Sequence, residues 1–151
     1  MSFDTRAGTR GRRQPGGLVR WVNKWAVTRI RGKGRMMGFN ALILTTIGRR
    51  SGARRQTPLG WFPGPGGSWL VVAAAAGAIG NPAWYYNLAA HPDQAWAEIA
   101  GRRIPVIADQ LHGAEREEAW RQITAAASRF LDYQKATDRE LPVIRLTARP
   151  E

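Results

Sequence analysis

The sequence predicts a mainly β protein with α insertions, about six short, mostly antiparallel strands forming a small barrel. Three observations carry that expectation. From Ala41 onward, short runs rich in Val, Ile, Leu, Thr and Trp alternate with glycine, proline and charged turns. Residues Pro63-Gly64-Pro65-Gly66-Gly67 form a strong hairpin signal between two such runs. Only two segments of that region, near 83–90 and 113–130, have the composition and length of helices.

The elements follow in chain order. Residues 1–17 are mostly Gly, Arg, Thr, Gln and Pro, too polar to bury much, and read as a disordered basic N-terminus. Residues 18–35 read as an amphipathic helix, with Leu18, Trp21, Val22 and Trp25 at helical spacing and Gly32 and Gly34 ending it. Such a helix can pack on its own domain, or lie on an anionic membrane with its tryptophans in lipid. The barrel domain is expected over 36–151. Its strands fall near 41–46, 54–62 and 68–75, then 94–100 and 103–109 around the Gly101-Arg102 turn, and 142–147 closes the set. Asn81 is expected as a helix N-cap with Pro82 at the first helical position. That helix, 83–90, ends before His91-Pro92. Gly113 opens the second, with Glu115, Glu117 and Glu118 in its first turns, where carboxylates favour the positive helix end.

Charge is uneven. Residues 1–55 hold 14 Lys/Arg against the single acid Asp4, whereas residues 56–151 hold 9 against 10 acids. The excess suits an anionic ligand, an anionic membrane surface or nucleic acid. The absence of cysteine excludes thiol catalysis, thiolate metal sites and disulfides. His91 and His112 are the only histidines and lack neighbours at ligand spacing, so no metal is expected. His91 reads as a helix-end cation. No apolar stretch approaches the ~20 residues of a membrane span, and no secretory signal is visible. A cytoplasmic protein is expected, soluble or peripheral on the inner face of the cell membrane.

Three motifs carry chemistry. In LILTTIGRRSGARRQTPLGWF, residues 42–62, a loop between two strands holds Arg49, Arg50, Arg54 and Arg55 with Ser51 and Gly52. Guanidiniums grip phosphate and carboxylate in planar pairs, and glycine lets backbone amides approach an anion. A solvated surface turn is the alternative. In Asn81-Pro82-Ala83-Trp84-Tyr85-Tyr86-Asn87-Leu88, three consecutive aromatics cannot share one face of a short helix, so one is left for a flat ring in a pocket or for the surface. Asp132-Tyr133-Gln134 followed by Thr137-Asp138-Arg139 reads as a cap and turn. There Tyr133 is either a packing residue or a phenolic proton donor, since a phenol is protonated at neutral pH.

Taken together, TTIGRRSGARRQTPL, NPAWYYNL and DYQKATDRELPV, in that order over 36–147, resemble the family of deazaflavin-dependent nitroreductases and quinone reductases. The resemblance implies a split β-barrel and coenzyme F-420, an 8-hydroxy-5-deazaflavin with a phosphate and an oligoglutamate tail. It implies that Arg49, Arg50, Ser51 and Arg55 hold the anionic tail, that Gln56, Thr57, Pro58, Leu59 and Gly60 run alongside the coenzyme, and that Trp84, Tyr85, Tyr86 and Asn87 flank the pocket. Two departures stand out. Relatives often carry a Ser-Lys pair after the third strand; this chain has Ala73-Ala74-Ala75-Ala76, so Ala74 and Ala75 can offer only backbone amides. Of the several tyrosines usual before the Thr-Asp-Arg motif, only Tyr133 is present. The implied activity is hydride transfer from reduced F-420 to a quinone, activated alkene or nitroaromatic. The candidate catalytic residue, Tyr133, comes from its own chemistry, a phenol in motifs that hold no cysteine or histidine. A deazaflavin-binding protein without turnover, and a basic nucleic-acid or membrane-surface binder, are the competing classes. The motifs favour no nucleic acid.

Overall fold

The computed structural model describes residues 3–12, 35–36 and 39–150. The expected amphipathic helix lies outside them, except that its last residue, Arg35, begins the first strand. The strands are β1 (Arg35–Met36), β2 (Phe39–Ile47), β3 (Arg54–Gly60), β4 (Phe62–Pro63), β5 (Trp69–Val72), β6 (Ala95–Ile99), β7 (Arg102–Gln110) and β8 (Val143–Ala148). They form one eight-stranded sheet in the order β1-β2-β6-β7-β8-β5-β4, with β3 on the other side of β2. Every strand pairing is antiparallel. The helices are α1 (Ala83–Ala90), α2 (Gly113–Ala126) and α3 (Arg129–Ala136).

Connectivity forces the sheet to curl. β3 pairs with β2 near one end of the strand order and β4 lies at the other end, yet a single residue, Trp61, separates them in the chain. The two ends must therefore meet, which gives the split barrel of the mainly β class. Trp61 also breaks the strand expected over 54–62, its N–H donating to Asn40 O at 3.0 Å.

Strand alternation divides the core in two. One face of the sheet contributes Leu42, Leu44, Val71, Ala73, Ala95, Ala97, Val106, Ala108, Ile144 and Leu146, closed at one end by Trp84, Tyr85 and Leu88 of α1. The opposite face of β5 and β8 contributes Leu70, Val72 and Val143, which pack under Ala119 and Ile123 of α2 and Phe130 of α3. Each fully buried Leu, Ile or Val contributes about 1.5–3 kcal/mol over an exposed one.

Four local expectations differ from the structure. The strand expected over 68–75 stops at Val72, because Ala75 and Ala76 adopt left-handed φ values of 45° and 54° and turn the chain away. The helix expected over 113–130 is two helices, separated by Ala127 in a non-helical conformation (φ −143°). α3 extends through Asp132, Tyr133 and Gln134, where a cap and turn is expected, because Phe130 and Tyr133, three residues apart, reach the second core cluster together. Pro82, not Asn81, is the N-cap of α1, since the Asn81 side chain is occupied elsewhere. The polar N-terminus also departs from expectation. Residues 3–12 form a strap, with Gly8 N–H on Ile79 O (2.8 Å), Arg12 N–H on Gly77 O (3.0 Å) and Ile79 N–H on Arg12 O (3.1 Å).

Candidate functional site

The arginine loop is a tight hairpin between β2 and β3. Gly48 N–H donates to Ala53 O (2.7 Å), Gly52 N–H to Gly48 O (2.9 Å) and Ala53 N–H to Ser51 Oγ (3.1 Å). Gly52 takes a φ of 69°, which costs glycine nothing. Arg49, Arg50, Ser51, Arg54 and Arg55 are all exposed. None of the four arginines pairs with a carboxylate among the described residues. Alternation then separates them. Arg55 lies opposite Thr46 and shares the face of Thr57 and Leu59, and Leu59 packs on the barrel core. Arg54 lies on the other face, its guanidinium 5.1 Å from the Trp96 ring centroid, with Arg103 at 5.0 Å on the same ring. Gln56, Pro58 and Gly60 share the Arg54 face; β3 pairs with β2 alone among the described strands, so its other edge is unpaired there.

Helix α1 anchors this hairpin. Arg49 N–H donates to Asn87 Oδ1 (3.1 Å), and Asn87 Nδ2 donates to Thr46 Oγ1 (3.1 Å). The Arg49 guanidinium lies 4.7 Å from the Tyr86 ring centroid. Trp84 and Tyr85 are core residues, 6% and 2% exposed. The aromatic wall expected from Trp84 to Asn87 therefore reduces to Tyr86, because 84, 85 and 88 are the positions of α1 that face the barrel.

The alanine loop is the second polar feature. Ala74 is right-handed (φ −83°, ψ −38°) and Ala75 left-handed, the alternation that turns successive amides toward one point and suits an anion or carbonyl oxygen. The N–H groups of Ala75 and Ala76 find no acceptor among the described residues. Consecutive left-handed alanines cost roughly 1–2 kcal/mol each, and such strain persists only where the surroundings impose it. Arg139 imposes it. This residue is 3% exposed and donates to Ala73 O (2.9 Å), Ala74 O (2.8 Å), Ala78 O (3.2 Å) and Asn81 Oδ1 (2.8 Å). Burial lowers its pKa from the usual guanidinium value.

A continuous line of side chains joins the two features. The Arg49 guanidinium lies over Tyr86, Asn81 Nδ2 donates to the Tyr86 hydroxyl (3.3 Å), and Asn81 Oδ1 accepts from Arg139, which grips the alanine loop. Beyond the loop stands Tyr133. A Cβ on Gly77 would lie 2.7 Å from Tyr133 O and 2.9 Å from Ala136 Cβ, so only glycine lets the loop rest directly on α3. The Tyr133 ring is half-buried, edge-on to Phe130 at 5.6 Å, and its hydroxyl bonds to nothing among the described residues.

Two site features escape sequence reasoning. The strap places Arg12 with its guanidinium 5.9 Å from the Tyr133 ring centroid. Its signal is the spacing Gly8-Thr9-Arg10-Gly11, two glycines at positions where a Cβ would strike Asp138 Oδ1 and Ile79 N. Trp61, next to Gly60, has a buried indole N–H without an acceptor among the described residues. An open groove lined by Trp120, Arg121, Thr124 and Leu131 shares no residue with this site. Among the described residues no group of acids and histidines could hold a metal ion.

Comparison with known proteins adds the family. Residues 19–148 match the family described as F420H(2)-dependent quinone reductase. A protein of Mycobacterium tuberculosis named F420H(2)-dependent quinone reductase is 33% identical over 112 residues, covering 72% of this chain and 74% of the relative. A second protein of that organism is 35% identical over 108 residues, covering 72% and 89%. The solved structure of an F420-H2 dependent reductase superposes with a TM-score of 0.63 at 31% identity, over 71% of this chain and 93% of that one. The heme storage protein HutZ of Vibrio cholerae, at 12% identity and a TM-score of 0.54, shares the fold alone. On the extent of the family match and the identity to these relatives, the chain belongs to the F420H(2)-dependent quinone reductase family.

Proposed function

We propose that this oxidoreductase binds reduced coenzyme F-420 along the line from the arginine hairpin to the alanine loop and reduces a quinone beside Tyr133. The reaction class and the coenzyme come with the family; the residue roles are inferred. The observation that carries them is that connected line, with guanidiniums that pair with no carboxylate, and amides that find no acceptor, among the described residues at its two ends. Its chemistry fits the coenzyme. A phosphate and glutamate tail suits Arg49, Arg50, Ser51 and Arg55, and a carbonyl-bearing ring suits the amides of Ala75 and Ala76. The orphaned Trp61 indole N–H is a buried donor at the end of the strand that runs from Gln56 to Gly60, where the coenzyme would provide an acceptor.

When bound, the coenzyme supplies the hydride. The chain's own part is to grip the anionic tail, present Tyr86 as a flat contact, and deliver a proton from Tyr133 Oη to the reduced acceptor. Titration with reduced F-420 tests the hairpin. Arg50→Ala and Arg55→Ala are each expected to lose about 1.5–3 kcal/mol, the worth of a hydrogen bond to a charged group. That is on the order of a tenfold to hundredfold rise in Kd. If both variants titrate like wild type, the hairpin assignment fails.

The same reading extends to the membrane. The sequence of residues 18–35, with tryptophans at helical spacing and flanking cations, suits peripheral contact with an anionic bilayer, where a lipid-soluble quinone is within reach. Each cation near such a surface contributes about 1 kcal/mol. Because residues 3–12 belong to the fold, substitution is the proper test rather than truncation. Trp21→Glu with Trp25→Glu should abolish sedimentation with anionic liposomes; equal sedimentation of variant and wild type would remove the membrane role.

A further inference from the structure

The alanine loop presents amides but no side-chain charge, and the strap brings one to it. We propose that Arg12 is a site residue whose guanidinium holds the anionic oxygen that develops on the quinone as hydride arrives. This rests on the oxidoreductase reading above. Arg12 is fixed through its backbone. Its N–H donates to Gly77 O and its carbonyl accepts from Ile79 N–H, so it bridges Ala78 in parallel register. Gly11 makes that approach possible, since a Cβ there would lie 2.7 Å from Ile79 N and 2.8 Å from Gly77 O. The side chain is exposed and pairs with no carboxylate among the described residues. Its guanidinium stands over the face of Tyr133, whose hydroxyl is also without a partner among those residues.

Three kinds of donor thus lie on elements that touch one another: the Arg12 guanidinium on the strap, the amides of Ala75 and Ala76 on the loop, and the Tyr133 phenol on α3. Preorganised donors beside a developing oxyanion are a large source of catalysis, because they are already oriented when charge appears. Hydride addition puts two electrons and one hydrogen on the quinone and leaves a hydroquinone monoanion. Arg12 stabilises that anion. The O–H bond of Tyr133 then breaks and its proton completes the quinol, and the phenolate recovers a proton from water. The two electrons and the hydride hydrogen would come from the reduced coenzyme.

Ligand binding and turnover together test the assignment. The probe is a hydroxynaphthoquinone, ionised at neutral pH, titrated by tryptophan quenching into protein loaded with oxidised F-420; neutral naphthoquinone is the control. Arg12→Gln should weaken binding of the anion at least tenfold and leave the neutral quinone unchanged. It should also lower kcat with neutral quinone at least tenfold, while coenzyme Kd and Tm hold. Arg12→Lys should recover part of both losses. An Arg12→Gln protein that binds the anion like wild type overturns the proposal, as does one whose coenzyme affinity falls as far as its anion affinity. A wild-type protein that neither binds reduced F-420 nor reduces quinones would overturn the underlying reading instead.

Discussion

Of the chain's three tyrosines, only Tyr133 has a hydroxyl free to meet a substrate among the described residues. The Tyr85 hydroxyl donates to Gln110 Oε1 at 2.6 Å and accepts from Thr5 N–H at 3.0 Å, and burial pushes its pKa up. The Tyr86 hydroxyl accepts from Asn81. Among the described residues the Tyr133 side chain makes ring contacts and no hydrogen bond. With no cysteine in the chain and neither histidine on the line joining the two polar features, it is the residue to which the proposal gives the proton-donor role. Tyr133→Phe retains the ring packing against Phe130 and removes only the hydroxyl. General-acid help is typically worth ~10²–10⁴-fold, so quinone turnover should fall at least tenfold with coenzyme affinity and melting temperature unchanged. An undiminished rate would show that water supplies the proton and that Tyr133 only packs α3.

The strap is the element whose stability depends most plainly on pH. Asp138 accepts from the Thr9 hydroxyl, from Thr9 N–H (2.8 Å) and from Arg10 N–H (3.0 Å). Those bonds, the Thr9 hydroxyl first, lower the Asp138 pKa to about 2. A folded-state pKa below the unfolded one means the tie is complete above about pH 4 and weakens as pH falls toward 2, because the unfolded carboxylate takes up its proton first. Protection of the Thr9 and Arg10 amides, their exchange compared with free peptide at the same pH, should accordingly fall over that window. In Asp138→Asn that protection should be low at neutral pH and lose most of its acid dependence. Equal protection in the two proteins would mean that the backbone bonds to Gly77 and Ile79 hold the strap unaided. The strap also shows where sequence stops being legible. The six strands and α1 announce themselves through local pattern, alternation bounded by glycine and proline. The strap's partners lie far along the chain, Asp138 being 129 residues from Thr9, and a polar glycine-rich segment carries no periodicity of its own. The left-handed alanines are hidden for a related reason. Their conformation is imposed by Arg139 from more than 60 residues away, in a run that by itself reads as continuing strand. For the site, the arginine hairpin is legible because its chemistry is contiguous, whereas Arg12 reaches Tyr133 only through the fold.

At the scale of the whole molecule, Trp61 is where the barrel closes. It links the sheet's two ends, and its ring packs on the main core cluster. Its indole N–H is nevertheless buried without an acceptor among the described residues. A buried donor left unmade costs about 1–3 kcal/mol, a burden at the closure of a barrel unless a ligand relieves it. Trp61→Phe separates fold from function, because it removes the orphaned donor along with part of the ring. Without coenzyme, the lost packing and the removed penalty offset to within about 1 kcal/mol, so the variant should melt close to wild type. With saturating F-420 the two should diverge. A ligand that binds only the folded state raises stability in proportion to the logarithm of its concentration over Kd. Loss of one hydrogen bond, about 0.5–1.5 kcal/mol, should therefore shrink the coenzyme-induced rise in Tm by a corresponding amount. The measurement is a pair of melting curves for each protein, with and without coenzyme. An equal rise in the two proteins would mean that the indole N–H faces no coenzyme atom, and that the barrel carries the cost of its closure without return.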